Sequence, residues 1–335
     1  MTTDLTVGTA TAAPGTRSDG RIVVSRRPGG GELSMPVVVL NGAHDGPVLW
    51  VNGAIHGDEP EGPLAIQMLL GRIDPAALHG ALVCVPVVNV AAYEAQQRGD
   101  PADGFTYDMN RIYPGKPDGY PSERVAHAHY RAMIDVADLE ISIHSGGAHS
   151  YLAQALFFGH AGPSLELAQA MGPGWDLFLK AMSTSGSPMA AMANAGKAAL
   201  TVELGGICST LPKDFLYNGR TLADALENVM RHYRMLEGAP AYAERWHVGA
   251  QKTVLCGVGG FFVPVEGVAY RTPVATGTRL AEIRDLYGTV LEDVVAPADG
   301  QIFGMRTMPA CLPGDWACFF GEVHETLDAP VWAGR

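Results

Sequence analysis

Four runs in this chain, residues 48–51, 81–88, 139–144 and 198–206, are apolar over most of a strand's length. Segments with helical spacing stand between them, beginning near Pro63 and spanning 122–136 and 164–171. A strand apolar throughout its length belongs inside a largely parallel sheet covered by helices. Three of these runs end on isolated polar residues: His56 with Glu59 just past the first, His144, and Glu203. In open α/β sheets, ligand sites collect at the strands' carboxyl ends.

The turn Gly53-Ala54-Ile55-His56-Gly57-Asp58-Glu59-Pro60-Glu61-Gly62 is the natural centre of such a site. Its glycines let the backbone turn sharply, and a helix with proline in its first turn follows. An imidazole and a carboxylate three residues apart in one turn can reach a single metal ion. By itself His-x-x-Glu is weak, because ordinary loop residues produce the same pair. A lone histidine after an apolar strand is likewise more often a hydrogen-bonded core residue than a ligand. Three polar strand ends side by side favour a site. His56, Glu59 and His144 would supply two imidazoles and one carboxylate, a catalytic zinc set with an open position. Glu203 is then the remaining carboxylate, placed to take a proton from the attacking water.

The rest of the chain is read as support. Residues 1–20, rich in Thr, Ala, Gly and Ser, suggest a flexible N-terminal arm. Strands near 21–24 and 35–40 are expected to be antiparallel neighbours at one side of the sheet. A polar loop from Asn89 to about Gly119 is long enough to be functional; it holds Arg98, Asp108, Asn110 and Arg111. There Asp108 can orient His56 through its second ring nitrogen. Asn110 and Arg111 can hold a substrate carboxylate, and Arg98 can steady an oxyanion. Helical spacing is also read at 174–182 and over 215–236. The catalytic domain is taken as 21–245. Glycine-punctuated short runs from 246 to 335 indicate a smaller all-β domain, with a short helix at 280–286.

With 23 basic and 35 acidic residues the formal charge is −12, which argues against a nucleic-acid partner. No run reaches membrane-spanning length, and the N-terminus lacks a signal-peptide pattern. The five scattered cysteines suit free thiols in a reducing cytoplasm.

The motifs HGDE, DMNR-x-YPG, SIHSGG and VELGG, in that order, resemble the succinylglutamate desuccinylase/aspartoacylase family of the zinc carboxypeptidase superfamily. The resemblance runs from about residue 21 to the β-rich C-terminus and is strongest to the family's bacterial N-acyl amino acid deacylases. It implies a zinc-carboxypeptidase-like mixed sheet flanked by helices, with a C-terminal barrel-sandwich-like domain. It also implies one Zn2+ per subunit held by His56, Glu59 and His144, with Glu203 as general base and Asn110 and Arg111 as substrate binders. Arg98 falls where the family places an arginine that polarises the scissile carbonyl, although loop length makes that match loose. Ser142 stands where many members have aspartate, and Met109 where many have leucine. The expected substrate is a small N-acylated amino acid or related amide; homo-oligomerisation is left open. A swinging-arm carrier role for the C-terminal domain is excluded, because no lysine follows Lys252. It is expected to shape the active-site entrance or a subunit contact.

Competing readings are a zinc carboxypeptidase acting on a short or modified peptide, a non-catalytic zinc or ligand-binding protein, and a serine hydrolase using Ser145. The last lacks a G-x-S-x-G motif. Asp58 and Glu61 are alternative ligands beside Glu59. His127 and His129 are expected at a helix surface, and His149 close enough to His144 to line the pocket.

Overall fold

The computed structural model describes residues 3–328 apart from 161, 184 and 207–211. The chain opens with β1 (Leu5–Val7), β2 (Ala10–Ala12), β3 (Thr16–Arg26), β4 (Glu32–Asn41) and β5 (His44–Gly53). Helix α1 (Glu61–Leu70), β6 (His79–Val85), α2 (Val90–Ala95) and α3 (Pro121–Ile134) follow. Next come β7 (Leu139–His144), β8 (Ser150–Phe158), α4 (Gly162–Ala170), β9 (Leu177–Lys180), α5 (Pro188–Asn194), β10 (Ala198–Gly205) and α6 (Pro212–His232). The C-terminal strands are β11 (Trp246–Leu255), β12 (Gly260–Pro264), β13 (Pro273–Val274) and β14 (Arg279–Arg284), then β15 (Val290–Val295), β16 (Gly300–Arg306), β17 (Ala310–Cys311) and β18 (Trp316–Leu327).

Among the described residues, twelve strands form one sheet in the order β13-β16-β18-β11-β9-β8-β10-β7-β5-β6-β4-β3. Its centre is parallel: β5 pairs with β6 and β7, and β7 with β10. Alternate residues of these strands feed two cores. Leu49, Val51, Ile141, Ile143, Leu200 and Val202 pack with α1, α4 and α6; Trp50, Val83, Val85 and Ala199 pack with α3 and α5. Helices therefore cover both faces, and the near-continuous apolar runs follow from that burial. Gly219 lets α6 lie close on α1, since a Cβ there would press on Leu64 at 2.6 Å. The antiparallel edge expected from the opening strands is present, with β4 pairing to both β3 and β6.

Three local expectations are corrected. Residues 5–7 and 10–12 form a small antiparallel pair packed on the sheet rather than an arm. Val7, Ala10 and Ala12 are buried, and Asn41 Nδ2 donates to the carbonyls of Thr3 and Ala12. The side chains are small, but the pair packs on β3 and β4 and joins the core that holds Met35 and Val37, which composition alone does not reveal. Residues 177–180 and 279–284 are strands, not helices. Each is short enough that its spacing fits either state, and sheet neighbours decide it.

The C-terminal part contains a four-stranded antiparallel sheet, β15-β14-β12-β17. Its other strands extend the large sheet, because β11 pairs in parallel with β9 and antiparallel with β18. Cys84, Cys256, Cys311 and Cys318 are free thiols; Cys208 lies outside the described residues.

Candidate metal centre

The chain leaves β5 through Ala54, which takes a left-handed φ of 47°. The N–H groups of Val88 and Asn89 fix this turn by donating to the carbonyls of Gly53 and Ala54. A small side chain limits the cost of that conformation, about 1 kcal/mol for a non-glycine residue. Gly57 then lies against the backbone of Ala92 in α2, leaving no room for a Cβ. The result carries His56 and Glu59, both buried, over the end of β7.

His56 Nδ1 lies 2.8 Å from Glu59 Oε1, and His144 Nδ1 lies 2.9 Å from Glu59 Oε2. The two Nδ1 atoms are 3.3 Å apart. Ligand atoms of His56, Glu59 and His144 thus all lie within 4.8 Å of one another. The opposite ring nitrogens settle what these atoms can do. His56 Nε2 is 3.0 Å from Asp108 Oδ1, and in the neutral ring that donates there Nδ1 is a bare acceptor. His144 Nε2 is 3.2 Å from Ser142 Oγ, whose hydroxyl donates to Asn52 Oδ1 at 2.9 Å, so here too Nδ1 is a bare acceptor. Two acceptor nitrogens and a carboxylate directed at one point are a donor set that a cation reconciles, and zinc fits its composition.

Both supports extend further. Asp108 also accepts from Arg98 Nη2 at 3.1 Å and lies 3.8 Å from Arg111 Nη2. Burial would raise its carboxyl, but His56 and Arg98 hold it well below the usual carboxylate range. Behind Ser142 the chain continues: Asn52 Nδ2 donates at 2.8 Å to Glu140 Oε1. Glu140, Ser142 and His144 share one face of β7, with Asn52 directly across from Ser142 on β5. Burial pushes the Glu140 carboxyl up to about 8. Asn52 and Glu140 were not singled out from the sequence. The readable signal was an acid two and four residues before a serine and a histidine in an otherwise apolar strand.

Glu203 sits opposite His144 in the β10–β7 pairing. Its Oε2 is shielded from solvent and has no hydrogen-bond partner. Burial and the neighbouring Glu59 raise its carboxyl well above the usual range, with Arg98 opposing. Arg98 Nη1 stands 3.6 Å from Glu59 Oε1, and its guanidinium covers the Trp316 ring at 5.4 Å. Asn110 Oδ1 is buried without a partner, and Arg111 is more exposed.

All the residues named from the sequence as metal ligands, base or substrate binders line one cavity of about 210 Å³, whereas Asp108 stands behind it. Its other wall was not foreseen in detail: Gln251 and Thr253 of β11, Phe303 of β16, and Trp316 and Phe319 of β18 come from the C-terminal part. Asp58 and Glu61 are not in the ligand cluster. Asp58 Oδ2 accepts from Ala148 N–H at 3.0 Å, and Glu61 Oε1 from Gly206 N–H at 2.8 Å, so both pin loops. Burial raises Glu61 to about 7. His149 lines a neighbouring depression with Arg306 and Asp315 instead of this cavity. His129 is fully buried, not on the surface. Trp50 Nε1 donates to its Nε2 at 3.2 Å, so Nδ1–H donates to the Tyr113 hydroxyl at 2.9 Å.

Comparison with known proteins gives concordant results. The model of the succinylglutamate desuccinylase/aspartoacylase catalytic domain matches residues 45–232. The N-alpha-acetyl-L-2,4-diaminobutyric acid deacetylase of Halomonas elongata is 27% identical over 324 residues, covering 89% of this chain and 88% of that protein. A succinylglutamate desuccinylase/aspartoacylase structure from Rhodobacter sphaeroides superposes with a TM-score of 0.78 at 25% identity, over 92% of this chain and 95% of its own. The product-bound ectoine utilization protein EutE of Ruegeria pomeroyi shares the fold, with a TM-score of 0.77 at 24% identity and the same coverage.

Proposed function

Because the chain belongs to the succinylglutamate desuccinylase/aspartoacylase family, we propose that it is a zinc-dependent hydrolase that cleaves the amide bond of a small N-acylated amino acid. The observation that carries this reading is the convergence of His56 Nδ1, His144 Nδ1 and Glu59 on one point beside the unpartnered Glu203. Those three residues would hold the ion. When bound, zinc polarises the amide carbonyl and lowers the pKa of water.

Glu203 takes the proton of the attacking water and returns it to the leaving amine. Arg98 faces the cavity from beside Glu59 and stabilises the charge that develops on the carbonyl oxygen. Asn110 and Arg111 take the substrate carboxylate, Arg111 by its planar fork. Asp108 keeps His56 in the tautomer that leaves Nδ1 free.

The test is Glu203→Gln in protein loaded with zinc, assayed on N-acetyl and N-succinyl amino acids with dipeptides as controls. The variant should keep one zinc per chain and lose roughly 10²–10⁴-fold in kcat. Chelation of the wild type should abolish turnover, and zinc should restore it. Turnover that survives the substitution would overturn the reading, and faster cleavage of dipeptides would make the protein a peptidase.

A further inference from the structure

We propose that the cavity is built for a substrate carrying a neutral, ring-sized apolar group, and that it rejects a second ammonium. The inference rests on the amide-hydrolase reading and names the substrate class of that site. Three observations carry it.

The first is charge. Among the described residues, the only carboxylates lining the cavity are Glu59 and Glu203, both taken up by the metal centre. The residues outside the described set, 1–2, 161, 184, 207–211 and 329–335, contain no Asp or Glu in the sequence. The second is the presence of Arg98 and Arg111 on the same cavity. An ammonium entering it would lose water and meet two guanidiniums, whose shared carboxylate, Asp108, stands behind them and off the cavity lining.

The third is the far wall. Phe157 and Phe303 lie edge to face at 5.6 Å between ring centroids, and Phe319 adjoins Phe303 at 6.1 Å. Trp316 stands against Phe319 at 5.2 Å, and the buried Met189 also lines the space. Aromatic edges and a thioether accept a flat apolar group well, and the serine, threonine and glutamine side chains that complete the lining are neutral and offer an ammonium no counter-charge. Diaminobutyric acid, on which the Halomonas elongata relative is named, carries a second amine. This chain therefore departs from that relative in what it accepts.

The experiment compares kcat/KM of the zinc-loaded enzyme on N-acetylphenylalanine, N-benzoylglycine, N-acetylglycine and Nα-acetyl-2,4-diaminobutyrate. The better of the two ring compounds should exceed the diamine roughly 100-fold, and which one leads tells whether the ring belongs to the amine or the acyl side. In parallel, calorimetry on zinc-loaded Glu203→Gln should show the same order of affinity for the four compounds. If the diamine is cleaved fastest, the inference fails while the hydrolase reading stands. If nothing is cleaved but the ring compounds bind more tightly, the hydrolase reading fails and the inference stands. Equal or reversed affinities overturn it in every case. Thr253→Asp places a carboxylate on the wall outside the catalytic set. It should move the ratio toward the diamine at least about fivefold, as a new charge partner does; an unchanged ratio removes this wall from substrate recognition.

Discussion

The two histidines of the metal centre are held from behind in opposite ways. His56 leans on an ionised carboxylate that is partly open to solvent and shared with two arginines of the long 89–119 loop. His144 leans on a neutral chain sealed inside the sheet, Ser142 to Asn52 to Glu140, whose last member is kept uncharged by burial. Both supports fix the same tautomer, so the lone pairs converge. They differ in what else they do. The Asp108 support places a full negative charge behind one ligand and couples it to Arg98 and Arg111, groups the substrate meets. The Ser142 support adds no charge and belongs to the rigid centre of the fold, where strand register sets every contact.

Substitutions can break this contrast. Asp108→Ala should have the largest effect. Metal affinity should fall about 10–100-fold, and kcat/KM should fall further because Arg98 loses its anchor; zinc competition with a chelating dye, alongside kinetics, measures both. Ser142→Ala should weaken zinc by roughly tenfold with little change in KM. It should also lower unfolding stability by about 1–3 kcal/mol, because Asn52 Oδ1 loses its buried donor. Equal changes in KM from the two variants would mean that the two supports do not differ in their reach to the substrate.

Glu140→Gln isolates the neutral end. In the folded protein Glu140 titrates near 8, whereas an unfolded glutamate titrates near about 4.3. Between those values the unfolded chain gives up a proton that the folded chain keeps. Wild-type stability should therefore be fullest below the lower value and decline as pH rises toward 8. The glutamine variant lacks this decline, so urea unfolding of chelated proteins at pH 5, 6.5 and 8 should show the difference moving steadily in the variant's favour. A gap that does not change with pH would mean that Glu140 is ionised in the fold. The smallest effect is expected from Tyr113→Phe, which removes the hydroxyl that accepts from His129. It should cost about 1 kcal/mol by denaturant melt and leave zinc affinity unchanged.

The centre of the molecule was legible in the sequence because its strands are so apolar. A histidine or glutamate at the end of such a run stands out, and His56, His144 and Glu203 do converge. Features that depend on a neighbour rather than on a pattern were hidden. The pair formed by residues 5–7 and 10–12 buries little except small side chains, so its composition reads as unstructured. The strands at 177–180 and 279–284 are too short for periodicity to choose between states. His129 looks like one more polar helix residue until Trp50 and Tyr113 are placed around it. Glu140 needs Asn52, 88 positions away, to acquire a role.

Every atom expected to take part in bond breaking is encoded between positions 56 and 203, whereas much of the surface that would judge a substrate is encoded after position 250. The chemistry and part of the discrimination therefore occupy separate stretches of the gene. A recombination event exchanging the last ninety or so codons could redirect such an enzyme to a new compound without disturbing its reagents. The seam between β9 and β11 would decide which exchanges survive, since an incoming module must zip onto a foreign strand before its preferences count.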